Sequence, residues 1–278
     1  MAAQTSGRLL LRIEDIDPAR CTREFEQGII DDLAWLGVSF DAPPKRQSEH
    51  VRFYTRALDV LESRGLIYPC SCARADIARD ADGRCDPDSA PLHVGRCAAR
   101  PASGLAPGLR LDMRRALELA PGPLFWREYG ESGAERLERA DPAAWGDVLL
   151  KRRDALASYH LAVVVDDDRQ GVSDVVRGRD LFHATSIHRL LQELLDISPP
   201  RYRHHRLVRD AGSIKMSKSA RSMALAEMRD RGILPHRIRD LLGFNRATPF
   251  ESERRDQLTL AVTAAGDTGI ELGAWEIS

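Results

Sequence analysis

Leu9-Leu10-Leu11-Arg12-Ile13-Glu14-Asp15 is a short apolar run that stops on two carboxylates. It reads as a buried strand that delivers acids at its carboxyl end, as expected for a sheet covered by helices on both faces. Thr22 then offers an N-cap, Glu24 and Glu26 suit a first turn, Phe25, Ile29, Leu33 and Leu36 share one face, and Gly37 closes the helix. A second amphipathic helix is expected from about Ser48 to Arg64, stopped by Gly65. Farther on, Leu161-Ala162-Val163-Val164-Val165 runs into Asp166-Asp167-Asp168 and reads as a second buried strand. Val175-Val176 lead into Arg177-Gly178-Arg179-Asp180, and Thr185 begins a helix carrying Ile187, Leu190, Leu191, Leu194 and Leu195. From Pro199 onward the chain is basic and then helical, with no strong strand signal before residue 258. Strand, helix, insertion, strand, helix predicts the α/β class: a doubly wound parallel sheet split by a small inserted module, with a helical C-terminal region.

The 278 residues include 43% hydrophobic and 30% charged side chains at a formal net charge of −1, which is enough apolar material for a core and excludes a disordered or collagen-like chain. Near-neutrality also excludes a wholly basic nucleic-acid coat, although residues 201 to 255 hold 14 basic against 6 acidic residues, a local face able to receive phosphates. No segment approaches the roughly 18 apolar residues of a membrane helix, and no signal peptide is visible, so a cytoplasmic protein with neither membrane nor DNA as partner is expected. Only Lys45, Lys151, Lys215 and Lys218 are lysines, against 37 arginines. Two of those four fall within one pentapeptide.

That pentapeptide is Lys215-Met216-Ser217-Lys218-Ser219, opened by Gly212. Lysines three apart, interleaved with hydroxyls on a Gly-opened loop, can close on a polyphosphate and neutralise charge developing on a leaving pyrophosphate. It is not a P-loop, because Ser217 stands where the second glycine belongs and no strong strand leads into Gly212.

Four of the five cysteines, Cys70, Cys72, Cys85 and Cys97, lie within 28 positions, in a polar, Pro-broken stretch of about residues 68 to 107. In a chain of this size that clustering fits a metal site better than a disulfide scaffold. Cys70-Ser71-Cys72 with His93-Val94-Gly95-Arg96-Cys97 supplies four ligands of the kind a tetrahedral structural zinc takes, with Cys85 as the rival to His93. Cys21, beside a helix start, reads as structural.

Taken in order, Arg12-Ile13-Glu14-Asp15, Ser158-Tyr159-His160 before the Leu161–Val165 run, Gln170-Gly171-Val172, Val176-Arg177-Gly178-Arg179-Asp180-Leu181 and the lysine pentapeptide resemble the class I glutamyl-tRNA synthetase family. The resemblance covers roughly residues 7 to 243. The Leu161–Asp167 run, Gln170-Gly171-Val172 and the short C-terminus favour the family's short branch, which lacks an anticodon-binding domain.

The resemblance implies roles. Arg177 is similar to the arginine that pairs bidentately with the γ-carboxylate of L-glutamate. Glu14 resembles the acid that receives the α-ammonium group, and Tyr159 the tyrosine lining the same pocket. Lys215, Met216, Ser217, Lys218 and Ser219 match the ATP-contacting loop, in which Lys218 stabilises the adenylation transition state, with Mg2+ accompanying ATP. The family's metal loop commonly carries an aromatic residue where this chain has His93. The implied reaction is activation of glutamate as glutamyl-adenylate and its transfer to tRNA. In the short branch the acceptor is the queuosine of tRNA(Asp). A glutamyl-tRNA synthetase fragment and a non-catalytic tRNA-binding remnant are the rival readings.

The implied organisation is 1–66 as the first half of the catalytic domain, 67–115 as the inserted zinc-binding module, 116–210 as the second half, and 211–278 as the lysine loop and helical C-terminal region. Members of this class begin with a strand, a P-S-P-T-G-like turn and an H-x-G-H-type helix, whereas this sequence starts inside the second strand of that unit. The sheet is therefore expected to be N-terminally incomplete, with an unpaired neighbour beside Leu9–Ile13. A start codon placed too late and a decayed gene both explain this, and the retained pocket residues favour the first. Leu92-His93-Val94-Gly95-Arg96 has the look of the missing motif, but it follows Arg12–Asp15 and reads as the metal loop.

Overall fold

The computed structural model describes residues 6–17, 21–97, 107–130, 133–155, 157–207 and 224–243, and the backbone of 259–265. Along the chain run β1 (Arg8–Glu14), α1 (Arg23–Trp35), β2 (Lys45–Arg46), α2 (Val51–Ser63), β3 (Ile67–Cys70) and α3 (Arg74–Ala81). Next come β4 (Gly108–Leu111), α4 (Met113–Leu119), β5 (Phe125–Tyr129), β6 (Glu135–Arg139) and β7 (Leu149–Lys151). The last elements are α5 (Tyr159–Gln170), β8 (Asp174–Gly178), α6 (Thr185–Leu194), β9 (Arg201–His205), α7 (Leu225–Asp230), α8 (Pro235–Leu241) and β10 (Thr259–Ala265). The chain divides into two compact units, Met1–Arg46 with Arg206–Ser278, and Gln47–His205.

In the first unit the Leu9–Ile13 run forms β1, with Leu10, Leu11 and Ile13 buried. α1 starts on the expected cap: the Thr22 hydroxyl accepts the Phe25 N–H at 3.4 Å. It ends on Gly37 at φ +77°, where the Gly37 and Val38 N–H groups return to Ala34 and Leu33, a closure that needs the left-handed conformation glycine tolerates. Ile29 and Leu33 on α1 pack on Leu11 and Ile13, each buried side chain contributing roughly 1.5–3 kcal/mol. α7 and α8 close over Trp35 and Leu36 through Leu225, Met228 and Ile238, and Arg229 pairs with Asp32 at 2.8 Å.

Two expectations fail here. β1 has no open side, since β2 pairs with it in parallel at Arg12 and Ile13, and β10 pairs in parallel along its whole length, Arg8 with Thr259 through Glu14 with Ala265. The region after residue 211 is also not simply helical, because β10 is extended.

In the second unit the sheets are mixed, not wholly parallel. β8, β9 and β5 run parallel, β6 is antiparallel to β5, and β3, β4 and β7 form a separate antiparallel sheet. The expected strand at Leu161–Val165 is instead the core of helix α5, capped by the Ser158 hydroxyl and closed on Gly171. Every residue from Leu161 to Asp167 is buried, so the run has no exposed polar face to display a 3.6-residue period, and its valines imitate a strand. α5 packs beside α6, which buries Ile187, Leu190, Leu191 and Leu194. Asp166, fully buried on α5, accepts from Gln47 Nε2 (3.1 Å), the Tyr54 hydroxyl (2.7 Å) and the His50 ring (2.9 Å), which ties α2 and its preceding turn to α5.

Candidate active site and metal centre

Arg177 leaves β8 into the interior of the second unit, only 8% exposed. Its Nε donates to His204 Nε2 at 3.0 Å, Nη1 to His188 Nδ1 at 3.0 Å and to the Tyr159 hydroxyl at 3.4 Å, and Nη2 to the Thr185 hydroxyl at 2.6 Å and the Leu181 carbonyl at 3.2 Å. All five donors thus meet acceptors without formal charge, and among the described residues no carboxylate pairs with this guanidinium. Burying a charge without a counter-ion is costly. The two longest bonds, to Tyr159 and Leu181, fall one on each terminal nitrogen. Those are the donors a carboxylate takes from an arginine fork.

The tautomers follow from the geometry, because arginine can only donate. His204 Nε2 carries its lone pair toward Arg177, and its Nδ1–H donates to Glu128 at 2.9 Å. Glu128, on β5, also accepts from the His204 backbone N–H and from Trp126 Nε1. His188 Nδ1 is likewise an acceptor, so its Nε2–H faces His160 Nδ1 at 3.2 Å. Burial, then the Arg177 charge, pushes the His188 pKa well below the ordinary imidazole value and lowers His160 to about 4. For His204, burial and Arg177 outweigh the pull of Glu128 and also hold the ring below its usual range. Burial raises the Glu128 pKa, but its bonds to His204 and Trp126 win and keep it low. The Glu128–His204 contact is therefore a hydrogen bond from a neutral ring to a carboxylate, not an ion pair.

The second constellation is built on β3 and the loop before β4. Cys70, Cys72, His93 and Cys97 place their ligand atoms within 4.8 Å of one another. Cys97 Sγ lies 3.5 Å from Cys70 Sγ and 3.4 Å from His93 Nε2, and Cys70 Sγ lies 3.6 Å from that nitrogen. Tetrahedral zinc, with bonds of about 2.3 Å to sulfur and 2.0 Å to nitrogen, sets edges of about 3.8 and 3.5 Å, so the residues fit such an ion. Cys85 is exposed and bonded to the Gly83 carbonyl, outside the cluster.

Electrostatics agree with a cation here. Burial raises the Cys70 thiol, but the Cys72 backbone N–H and the Arg110 guanidinium, 3.3 Å away, reverse this and favour its thiolate. Burial and the Cys70 sulfur push Cys72 up against the opposing pull of its Cys97 contact, and burial with both neighbouring sulfurs pushes Cys97 up to about 12. A divalent ion would allow all three to ionise together. Behind the cluster, Asp147 Oδ2 accepts the Tyr68 hydroxyl at 2.6 Å, and that hydroxyl lies 3.4 Å from His93 Nδ1, the side of the ring facing away from the sulfurs.

Of the residues singled out from sequence, the structure brings Tyr159 to Arg177 and collects Cys70, Cys72, His93 and Cys97. Glu14 stands half-buried at the carboxyl end of β1, in the other unit, its carbonyl accepting the Cys21 thiol at 3.4 Å. Lys215, Met216, Ser217, Lys218 and Ser219 lie outside the described residues. The sequence reading missed Glu128, Thr185, His188 and His204. A signal existed for His204, since Arg201-Tyr202-Arg203-His204-His205 alternates and buries Tyr202 and His204 on one face of β9.

Comparison with known proteins identifies the family. Residues 1–100 and 137–259 match the family described as tRNA synthetases class I (E and Q), catalytic domain. The chain is 42% identical over 260 residues to a glutamyl-Q tRNA(Asp) synthetase of Rhodobacter capsulatus, covering 87% of this chain and 90% of that one. It is 35% identical over 249 residues to the protein of the same description from Nitratidesulfovibrio vulgaris, covering 84% and 74%. A glutamate tRNA ligase from Elizabethkingia meningosepticum, crystallised in complex with its amino acid, shares the fold at a TM-score of 0.61 and 21% identity. That match takes in 78% of this chain and 46% of the other, so the chain spans about half the length of that structure. With a family match across most of its length and close relatives along nearly all of it, the chain belongs to the class I tRNA synthetases for glutamate and glutamine.

Proposed function

We propose that the chain activates L-glutamate with ATP as glutamyl-adenylate and transfers the glutamyl group to the queuosine of tRNA(Asp). The observation that carries this reading is Arg177, a buried guanidinium whose five donors all rest on neutral acceptors, with its two longest bonds on different terminal nitrogens. Such a group recognises a side-chain carboxylate and leaves the α-carboxylate free to displace pyrophosphate from ATP. Tyr159, whose hydroxyl accepts from Arg177, would line the glutamate pocket, and Glu14 would receive the α-ammonium group. Lys215 to Ser219 would close on ATP and its Mg2+, Lys218 neutralising charge that develops as pyrophosphate leaves.

Cys70, Cys72, His93 and Cys97 would hold a zinc ion that braces the module within residues 67–115. Four protein ligands leave no open position, so its contribution is structural. The 42% identity to a glutamyl-Q tRNA(Asp) synthetase supports queuosine as the acceptor.

The test is ATP–pyrophosphate exchange followed by transfer of labelled glutamate. Exchange that depends on glutamate but not on tRNA, with label entering tRNA(Asp), is the expected result. Label entering the 3′ end of tRNA(Glu) would replace the acceptor assignment with that of a glutamyl-tRNA synthetase. Salt-sensitive tRNA binding with neither exchange nor ATP binding would leave a non-catalytic tRNA-binding protein.

A further inference from the structure

Arginine forks that bind carboxylates are often held by acidic residues, and such partners cancel part of the charge that the ligand is meant to meet. Arg177 is held differently. Its anchoring bonds go to His188, His204 and Thr185, and the ring nitrogens facing it, each at 3.0 Å, must carry lone pairs because the guanidinium can only donate. The acidic residue of this network, Glu128, is kept one ring away, since it bonds the far nitrogen of His204. On the other edge His188 passes its remaining N–H to His160, again a neutral group. His188 itself is 1% exposed on α6, so water cannot take over its role as acceptor.

We propose that His188 is a specificity-determining residue: as an uncharged acceptor it fixes the Arg177 fork without neutralising it, so that the site selects a carboxylate side chain over the amide of equal shape. The inference rests on the reading of Arg177 as the seat of the glutamate side chain. A glutamine amide can offer one oxygen to the fork but brings a donor against the second N–H and no charge to offset the buried cation. Placing an acid at position 188 would supply the missing counter-charge from the protein and remove the demand for a charged ligand.

Two near-isosteric variants separate charge from shape. His188→Asn keeps a neutral acceptor beside Nη1, and His188→Asp puts a carboxylate there. Calorimetric binding of L-glutamate and L-glutamine to the full chain, with thermal melting to verify folding, gives a glutamate-to-glutamine affinity ratio for each protein. His188→Asp should lower the wild-type ratio by roughly 10- to 100-fold. His188→Asn should restore it to within about threefold, whatever happens to the absolute affinities. A ratio for His188→Asp equal to the wild type overturns the inference and leaves the glutamate reading standing. An equal fall in both variants also overturns it, because shape alone would then account for selectivity. A wild-type protein that does not prefer glutamate removes the functional reading itself.

Discussion

Gly95 sits in the metal loop at φ +74°, and a Cβ at this position would lie 2.6 Å from Asp147 Oδ2, the oxygen that holds the Tyr68 hydroxyl behind His93. Gly95→Ala therefore meets both backbone strain and a collision with the group that supports the His93 side of the cluster. Zinc affinity, read by competition with a chromophoric chelator, should fall roughly 10- to 100-fold, as it does when outer-shell partners of metal ligands are disturbed. Single residues were unequally visible in the sequence. The cysteines stood out because their chemistry is unusual at those spacings, and Arg177 and Tyr159 because of the motifs that carry the family resemblance. His188 and Glu128 did not, because each becomes meaningful only through a partner 11 or 76 positions away.

At the scale of elements, α5 shows what a hydrophobicity pattern loses when a helix is buried on every side. The two signals that identify it were at its ends, Ser158 as N-cap and Gly171 in the left-handed conformation as stop. Ser158→Ala leaves the Leu161 N–H without its side-chain partner and should cost about 1 kcal/mol, seen as a lower urea midpoint at unchanged m-value. β1 and α1 were legible because their sequences match their burial: β1, buried at four successive positions, is an apolar run broken only by Arg12, and α1 keeps its Ile29–Leu33 stripe against the core. β5 and β6 were not. Their sequences, Phe125–Tyr129 and Glu135–Arg139, are dominated by charged residues, with burial confined to Trp126 and Glu128 on β5. The antiparallel pairing of these two strands, which makes the sheet mixed, has no apolar signature to announce it.

For the whole molecule, the histidines around Arg177 contribute a pH dependence to stability. Folding holds His188 and His160 neutral, whereas the same side chains in the unfolded chain titrate near a pKa of about 6.5. As pH falls, the unfolded state therefore binds protons first, and stability that is intact above about 6.5 is lost progressively below it, for His160 down to about 4. Between pH 7.5 and 5.5 the loss should be about 1 kcal/mol for each such histidine, measured by urea denaturation. His188→Asn should flatten that slope.

Chain connectivity has a kinetic side. β1 and β10 pair in parallel although roughly 250 residues separate Arg8 from Thr259. Closing a loop of that length costs about 5 kcal/mol of chain entropy before any contact repays it. Contacts so distant in sequence slow folding, so the Gln47–His205 unit can assemble from its own shorter-range contacts while β1 waits for a strand from the far end of the chain. On the ribosome, where synthesis proceeds at about 5–20 residues per second, β1 would stay without this partner for on the order of 10 to 50 s, an interval in which its apolar edge is open to other chains.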